Sequence, residues 1–292
     1  MKYHYRLLNV FAESKFGGNP LCVFENAEGL DDAQMQAIAL QFNLSETVFL
    51  MKSSIAQAKM RIFTPNTELP FAGHPTLGAA QLVAERANGL QEFSLECGAG
   101  LVQVKFETNR WTLRAPINAP CSQLVRTTVE SVERIAAMLG IDEADLYSEP
   151  VWVNTGNEHL LIPVRSTAML ERARIANDRL ALWPVSQMGR QNAYVFAFDG
   201  EEQSQRRVKA RYWSAKSGSL VEDPATGSAA ANLGAWWIAR NGAVPSHFVI
   251  EQGQEMHRPS RLYVRVDLDA NQVPRIEVGG SVIEIGSGVL HL

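Results

Sequence analysis

Apolar and polar positions along this chain repeat mostly with a period of two, as in a half-buried strand, and only a few stretches repeat at helical spacing. Tyr3 to Phe11 predicts a first strand. The turn residues Gly17-Gly18-Asn19-Pro20 separate it from a second, through Leu21-Cys22-Val23-Phe24. Behind Asp31-Asp32, the residues Met35, Ile38, Ala39 and Phe42 share one helical face, so 31–42 predicts an amphipathic helix. Strands are predicted again at Glu46 to Met51 and at Ala58 to Phe63, where Met60 and Ile62 alternate with Lys59 and Arg61. A helix of small residues, Pro75 to Asn88, ends against Gly89. Strands at Glu92 to Cys97, Leu101 to Glu107 and Arg110 to Ala115 follow it.

Beyond a linker bracketed by Pro116 and Pro120, the pattern predicts a helix at Val129 to Leu139, a strand at His159 to Val164 and a shorter helix at Thr167 to Ala176. Strands at Ala193 to Phe198 and Val208 to Ser214 lead to a second Pro-initiated helix, Pro224 to Arg240. Further strands fall at Arg261 to Val266, around Ile276 and Val278, and at Val282 to Ile285. Few long helices among many strands define an α+β class with antiparallel or mixed sheets.

Two segments about half the chain apart look alike. Gly73-His74-Pro75-Thr76-Leu77-Gly78-Ala79-Ala80 and Glu222-Asp223-Pro224-Ala225-Thr226-Gly227-Ser228-Ala229 each set a polar residue before Pro and a Gly three positions after it, opening a run of small residues. Aligning Pro75 with Pro224 predicts a duplication, against the alternative of two common helix starts coinciding. The expected division is 1–116 and 117–292, with the last strand free to return to the first half.

Composition changes this picture by exclusion. At 292 residues the chain is long for one hydrophobic core. Lys and Arg total 27 against 31 Asp and Glu, a formal charge of −4, which excludes the clustered positive charge that nucleic-acid binding needs. No apolar run approaches the roughly 20 residues of a membrane span, and the N-terminus lacks a secretory pattern, so a cytoplasmic protein is expected. Cys22, Cys97 and Cys121 form no C-x-x-C pair, the histidines form no metal-ligand pattern, and no phosphate-binding or dinucleotide glycine loop is present. No metal and no organic cofactor is expected.

Candidate chemistry gathers at the starts of the two small-residue helices. A helix so poor in charge belongs inside its sheet, and its first turn offers backbone N–H groups and the positive dipole end to a small anion such as a substrate carboxylate. His74 and Asp223 are expected at the cap positions of these two mouths. Asp223 reads equally as a plain helix cap. Glu46, in Ser45-Glu46-Thr47, stands before the apolar run Val48-Phe49-Leu50. Burial there would make it a general acid or base, although spacing alone reads more readily as a surface glutamate on a strand edge.

Taken together, these motifs resemble the PhzF-type phenazine-biosynthesis family, whose fold is related to that of diaminopimelate epimerase. The matching residues are Phe16-x-Gly18-Asn19-Pro20, Leu44-Ser45-Glu46-Thr47-x-Phe49, Phe63-Thr64-Pro65-x-x-Glu68-Leu69-Pro70, Phe71-Ala72-Gly73-His74-Pro75-Thr76, Asn154-Thr155-Gly156 and Glu222-Asp223-Pro224-Ala225-Thr226-Gly227-Ser228-Ala229. The resemblance implies two similar domains, each a curved sheet around a central helix, in a cofactor-free, often homodimeric isomerase. It implies that Glu46 shuttles a proton, that His74 and Asp223 assist, and that Gly73, Gly227 and Ser228, with Ser45 beside Glu46, bind the substrate's carboxylate in one pocket between the domains. It points to a small cyclic or unsaturated amino or hydroxy acid, such as a dihydro-hydroxyanthranilate. Two-thiol epimerases carry a cysteine before each helix-start glycine, where the matching residues here are Ala72 and Pro224. Cys97, placed between two strands, is expected to be a decoy. Two rivals remain: a two-base epimerase pairing Glu46 with Asp223 or His74, and a non-catalytic small-acid-binding protein.

Overall fold

The computed structural model describes residues 1–117, 119–216 and 218–292. Two compact units emerge, one of 1–114 with 279–292 and the other of 115–278.

The first unit runs β1 (Lys2–Val10), β2 (Asn19–Phe24), α1 (Asp32–Phe42), β3 (Glu46–Met51), β4 (Ala58–Phe63), β5 (Glu68–Leu69), α2 (Gly73–Arg86), β6 (Glu92–Cys97), β7 (Gly100–Glu107) and β8 (Arg110–Arg114). The chain's last strand, Val282–His291, pairs antiparallel with β1. From there the sheet passes through β2, β3 and β4 to β6, β7 and β8, with parallel steps at β2–β3 and β4–β6 and antiparallel steps elsewhere. It curves around α2, which touches β1, β2, β3, β4, β8 and the last strand. That enclosure explains why α2 is uncharged and buried on every side from Pro75 to Ala80. Gly78 is where helix and sheet come closest: a Cβ there would lie 2.3 Å from Leu21 Cδ2. On the outer face, α1 seats Met35, Ile38 and Ala39 against Phe24, Phe49 and Phe63. With both faces covered, β3 is buried from Thr47 to Leu50, which is why it reads as an unbroken apolar run.

The second unit contains α3 (Cys121–Leu124), β9 (Val125–Thr127), α4 (Val132–Leu139), β10 (Val151–Asn154), β11 (Glu158–Pro163), α5 (Thr167–Arg172), β12 (Asn192–Glu202), β13 (Gln205–Lys216), β14 (Ser219–Asp223), α6 (Gly227–Ala239), β15 (Ser246–Gln252), β16 (Ser260–Leu268) and, as far as Val278, β17 (Pro274–Gly280). Its ladder repeats the first: antiparallel β10–β11, parallel β11–β12, antiparallel β12–β13, the short antiparallel β13–β14, parallel β13–β15 and antiparallel β15–β16. The central helix is α6, in contact with β9, β10, β11 and β16. Around the outside, α4, α5 and a 3-10 turn at Asn177–Leu182 cover a core containing Ile135, Met138, Leu139, Trp152, Trp183 and Trp213.

Strand register fixes how the halves correspond, and it corrects the alignment by proline. Ile62 and Phe63 of β4 pair with Leu69 and Glu68, as Tyr212 and Trp213 of β13 pair with Asp223 and Glu222. Glu68-Leu69-Pro70-Phe71-Ala72-Gly73 therefore matches Glu222-Asp223-Pro224-Ala225-Thr226-Gly227. The partner of Pro224 is Pro70, not Pro75. Even the side chains agree: Arg61 grips Glu68 through Nε and Nη2 at 2.7 and 2.6 Å, and Arg211 grips Glu222 through the same atoms at 2.9 and 2.8 Å. A proline misleads here because its fixed φ suits both the extended residue before a helix and the first helical turn.

Other expectations shift as well. The helix expected from Val129 begins at Val132 under the Ser131 cap, leaving Val129 95% exposed. The one expected to reach Ala176 stops at Arg172. Strands β5, β9, β10, β14 and β15 are not predicted from the sequence, because their apolar stretches are short or interrupted by polar residues.

Candidate active site

In the first unit, Glu46 opens β3 and His74 is the second residue of α2. Parallel pairing with β2 places Glu46 opposite Leu21, the residue that meets Gly78 of the helix. The strand start and the helix start thus face each other, and Glu46 Oε2 lies 3.4 Å from His74 Nε2, with the side chains 16% and 8% exposed. An imidazole at that distance from a carboxylate can share a proton with it or form an ion pair. The N-cap residue is Ala72, which makes no side-chain cap bond, and the first turn holds no acidic residue. His74 is therefore not a cap but a first-turn residue, a correction that follows from the helix starting at Gly73. Ser45 and Gly73 are half-buried beside this pair, and a Cβ on Gly73 would meet nothing within 4 Å.

In the second unit, Asp223 ends β14 and precedes the helix. The cap position of α6 belongs to Thr226, and Gly227 and Ser228 are the first helical residues, both half-buried. Asp223 is held differently from the cap that was expected: its Oδ2 accepts the Thr226 hydroxyl at 2.6 Å. Thr226 in turn makes no side-chain cap bond to the first turn, nor is there an acidic residue in it. By helix position, His74 corresponds to Ser228, and Ala72 to Thr226. The second thiol position of a two-thiol epimerase is thus Thr226 rather than Pro224, and neither Ala72 nor Thr226 is a cysteine. Cys97 closes β6 and pairs with Gly100 across the turn into β7, with no helix following. Burial raises its thiol pKa, which makes it a poor nucleophile.

One polar residue at this mouth escaped sequence reading. Gln252, at the end of β15, is fully buried and bonded to both Asp223 and Thr226. The repeat itself carried the signal, since Glu96-Cys97-Gly98 and Glu251-Gln252-Gly253 occupy matching places, and a Cβ on Gly98 or Gly253 would press on Pro70 or Pro224 respectively. Among the described residues no group of His, Cys, Asp or Glu is arranged to hold a metal, and no helix is long and apolar enough to cross a membrane.

The family model for phenazine biosynthesis-like proteins of the PhzC-PhzF type matches residues 8–288. An uncharacterized isomerase of Pasteurella multocida is 42% identical, covering 99% of this chain and 94% of its own. The trans-2,3-dihydro-3-hydroxyanthranilate isomerase of Pseudomonas chlororaphis is 35% identical, covering 99% and 100%. Among solved structures, a PhzF-family phenazine biosynthesis protein of Bacillus anthracis superposes with a TM-score of 0.87 at 22% identity over 100% of both chains, a likeness of fold. The chain belongs to the PhzF-type family and is an isomerase, built on the diaminopimelate epimerase-like fold.

Proposed function

We propose that the protein moves a proton between two carbons of a small cyclic or unsaturated amino or hydroxy acid, with Glu46 as the single acid–base. Glu46 as carboxylate takes a proton from a C–H made acidic by neighbouring unsaturation. The electron pair delocalises along the conjugated system, and Glu46 as carboxylic acid returns the proton to another carbon. Atoms and electrons balance within the substrate, so the reaction calls for no metal, nucleotide or pyridoxal. His74 shares the proton with Glu46 and holds a substrate polar group, while Asp223 accepts from the substrate's amine or hydroxyl. Ser45, Gly73, Gly227 and Ser228 receive the substrate carboxylate, aided by first-turn N–H groups.

The observation that supports this most is the Glu46–His74 contact of 3.4 Å at the mouth of a helix with no cap bond of its own. Simple carboxylate binding does not require a largely buried acid beside an imidazole. The relatives named trans-2,3-dihydro-3-hydroxyanthranilate isomerase suggest the substrate class, a ring bearing amine, hydroxyl and carboxylate. A homodimer is part of the same proposal; a particle mass equal to one 32.3 kDa chain would remove that part.

The test is turnover on a panel of cyclic amino and hydroxy acids that includes trans-2,3-dihydro-3-hydroxyanthranilate. Glu46→Gln keeps shape and removes the ionisable group, so kcat should fall by roughly 10²–10⁴-fold while folding is little changed. Turnover within a few-fold of the parent would refute Glu46 as the base. Deuterated solvent separates one base from two, since a two-base epimerase must place solvent deuterium on the product carbon.

A further inference from the structure

We infer that Gln252 is a positioning residue that sets the direction of the hydrogen bonds at Asp223, forcing the Thr226 hydroxyl to donate to the carboxylate. This rests on the assignment of Asp223 to the substrate site made above.

The chain of donors is fixed link by link. Gln252 Oε1 accepts the backbone N–H of Thr226 at 3.3 Å, and Gln252 Nε2 donates to the backbone carbonyl of Asp223 at 2.8 Å. A backbone N–H can only donate and a carbonyl can only accept, so these two bonds leave the amide one orientation. Its Nε2 also reaches Thr226 Oγ1 at 3.0 Å. Since an amide nitrogen does not accept, the hydroxyl is the acceptor there and its one proton must point elsewhere. Asp223 Oδ2, at 2.6 Å, receives it. Asp223 is thereby presented with a hydroxyl proton directed at its Oδ2, as a group that accepts rather than donates.

The first unit shows that the turn itself does not demand this arrangement. At the matching positions it has Leu69 for Asp223, Ala72 for Thr226 and Cys97 for Gln252, and the Cys97 thiol bonds to the Gly100 carbonyl instead. Strand, turn and helix form there without any member of the network. A fully buried amide with both ends satisfied at one mouth and absent at the other serves the carboxylate, not the fold.

The experiment is a carbon-13 NMR titration of the Asp223 carboxylate in the full chain, in the parent and in Gln252→Met, Gln252→Glu, Thr226→Val and Thr226→Ser. Hydrogen bonding to the charged form lowers a carboxyl pKa, so removing it should raise Asp223 by about one unit. Both Gln252 variants and Thr226→Val should show this rise, and Thr226→Ser, which keeps the hydroxyl, should titrate as the parent does. Combining Gln252→Met with Thr226→Val should raise Asp223 no further than either alone, because Gln252 acts through Thr226. An unmoved Asp223 in Thr226→Val, or in whichever Gln252 variant folds, overturns the inference, as does full additivity of the pair. A parent-like rate for Asp223→Asn, with the titration shifts intact, would instead overturn the assignment of Asp223 to the substrate site and leave the network standing.

Discussion

The contact between central helix and sheet is built twice in this chain, and the two versions are chemical opposites. In the first unit Gly78 packs on Leu21, Val10 and Leu8, with no room for a Cβ. In the second, the residue at the same helix position is Asn232, and strand register puts His159, Thr155 and Val153 where the first unit has Leu21, Val10 and Leu8. Asn232 Oδ1 accepts from Thr155 N and Oγ1 at 2.9 and 2.6 Å, while Nδ2 reaches the carbonyls of Val153 and Asn157 at 2.6 and 2.9 Å. One joint is held by contact alone, the other by directional bonds that pin the 154–157 turn to the helix. The sheet shows a parallel exchange. The place of Glu46 in β3 is taken in β12 by Asn192, whose amide ties Leu160 N and the Glu158 carbonyl into the core. One backbone scheme therefore supports the carboxylate proposed as acid–base in one half and a structural amide in the other.

Swapping the joints should break each in its own way. Gly78→Asn introduces a Cβ 2.3 Å from Leu21 and sets an amide where the nearest neighbours are the apolar side chains of Leu21, Val10 and Leu8. Overpacking and an unsatisfied amide together should cost about 4–6 kcal/mol, enough to keep the first unit from folding, as read by urea denaturation or loss of soluble protein. A variant as stable as the parent would show that this joint tolerates polarity. The reverse change, Asn232→Gly, strands several buried groups at once and should cost about 3–5 kcal/mol. Adding His159→Leu and Thr155→Val removes two stranded side-chain partners and should recover part of that loss, since deleting both sides of a buried hydrogen bond is milder than deleting one. If the triple variant is no better than Asn232→Gly, the two joints are not interchangeable solutions.

How much of this could be read in advance depended on which force shaped each element. Strands β3 and β4 lie where the alternation and apolar runs placed them, because burial alone fixes them. The buried character of α2 and α6 was legible in their small residues for the same reason. The mouths were less so. Asp223 was expected as a cap because Pro224 was read as a helical first residue, whereas β14 carries the chain on to Asp223 and the helix waits for Gly227. Gln252 had a signal only in the repeat, and Asn232 had none, because an amide carries no periodic signal and its partners, such as the Asp223 carbonyl and Thr155 N–H, lie far along the chain. Glu46 and His74 were named from local motifs, but their contact depends on β2 bridging strand and helix, which spacing cannot express.

The smallest expected effect, and the one that isolates the polar joint without dismantling it, is a pH dependence. Leu21 cannot titrate, but His159 at the matching position can. It is fully buried, and burial, with a lesser contribution from the nearby Arg190 charge, pushes its pKa down to about 3. Geometry agrees: the Asn232 amide is oriented by its backbone partners so that Nδ2, 2.9 Å away, can only donate to His159 Nδ1. Protonating Nδ1 would set two donors against each other. Unfolding releases the imidazole to its ordinary pKa of about 6.5, so between that pH and about 3 the unfolded chain binds the extra proton and the folded chain does not. Above the window His159 is neutral in both states and stability does not depend on it. As pH falls through the window, stability is lost with a slope approaching ~1.4 kcal/mol per pH unit, or about 2 kcal/mol between pH 7 and 5. His159→Gln can still accept from Asn232 but has no proton to gain. Urea denaturation of parent and His159→Gln across pH 5–7 should therefore show the parent losing stability faster on acidification, by about that amount. The difference between the two curves cancels the other titrating groups, and parallel curves would mean that His159 is not held neutral in the folded chain.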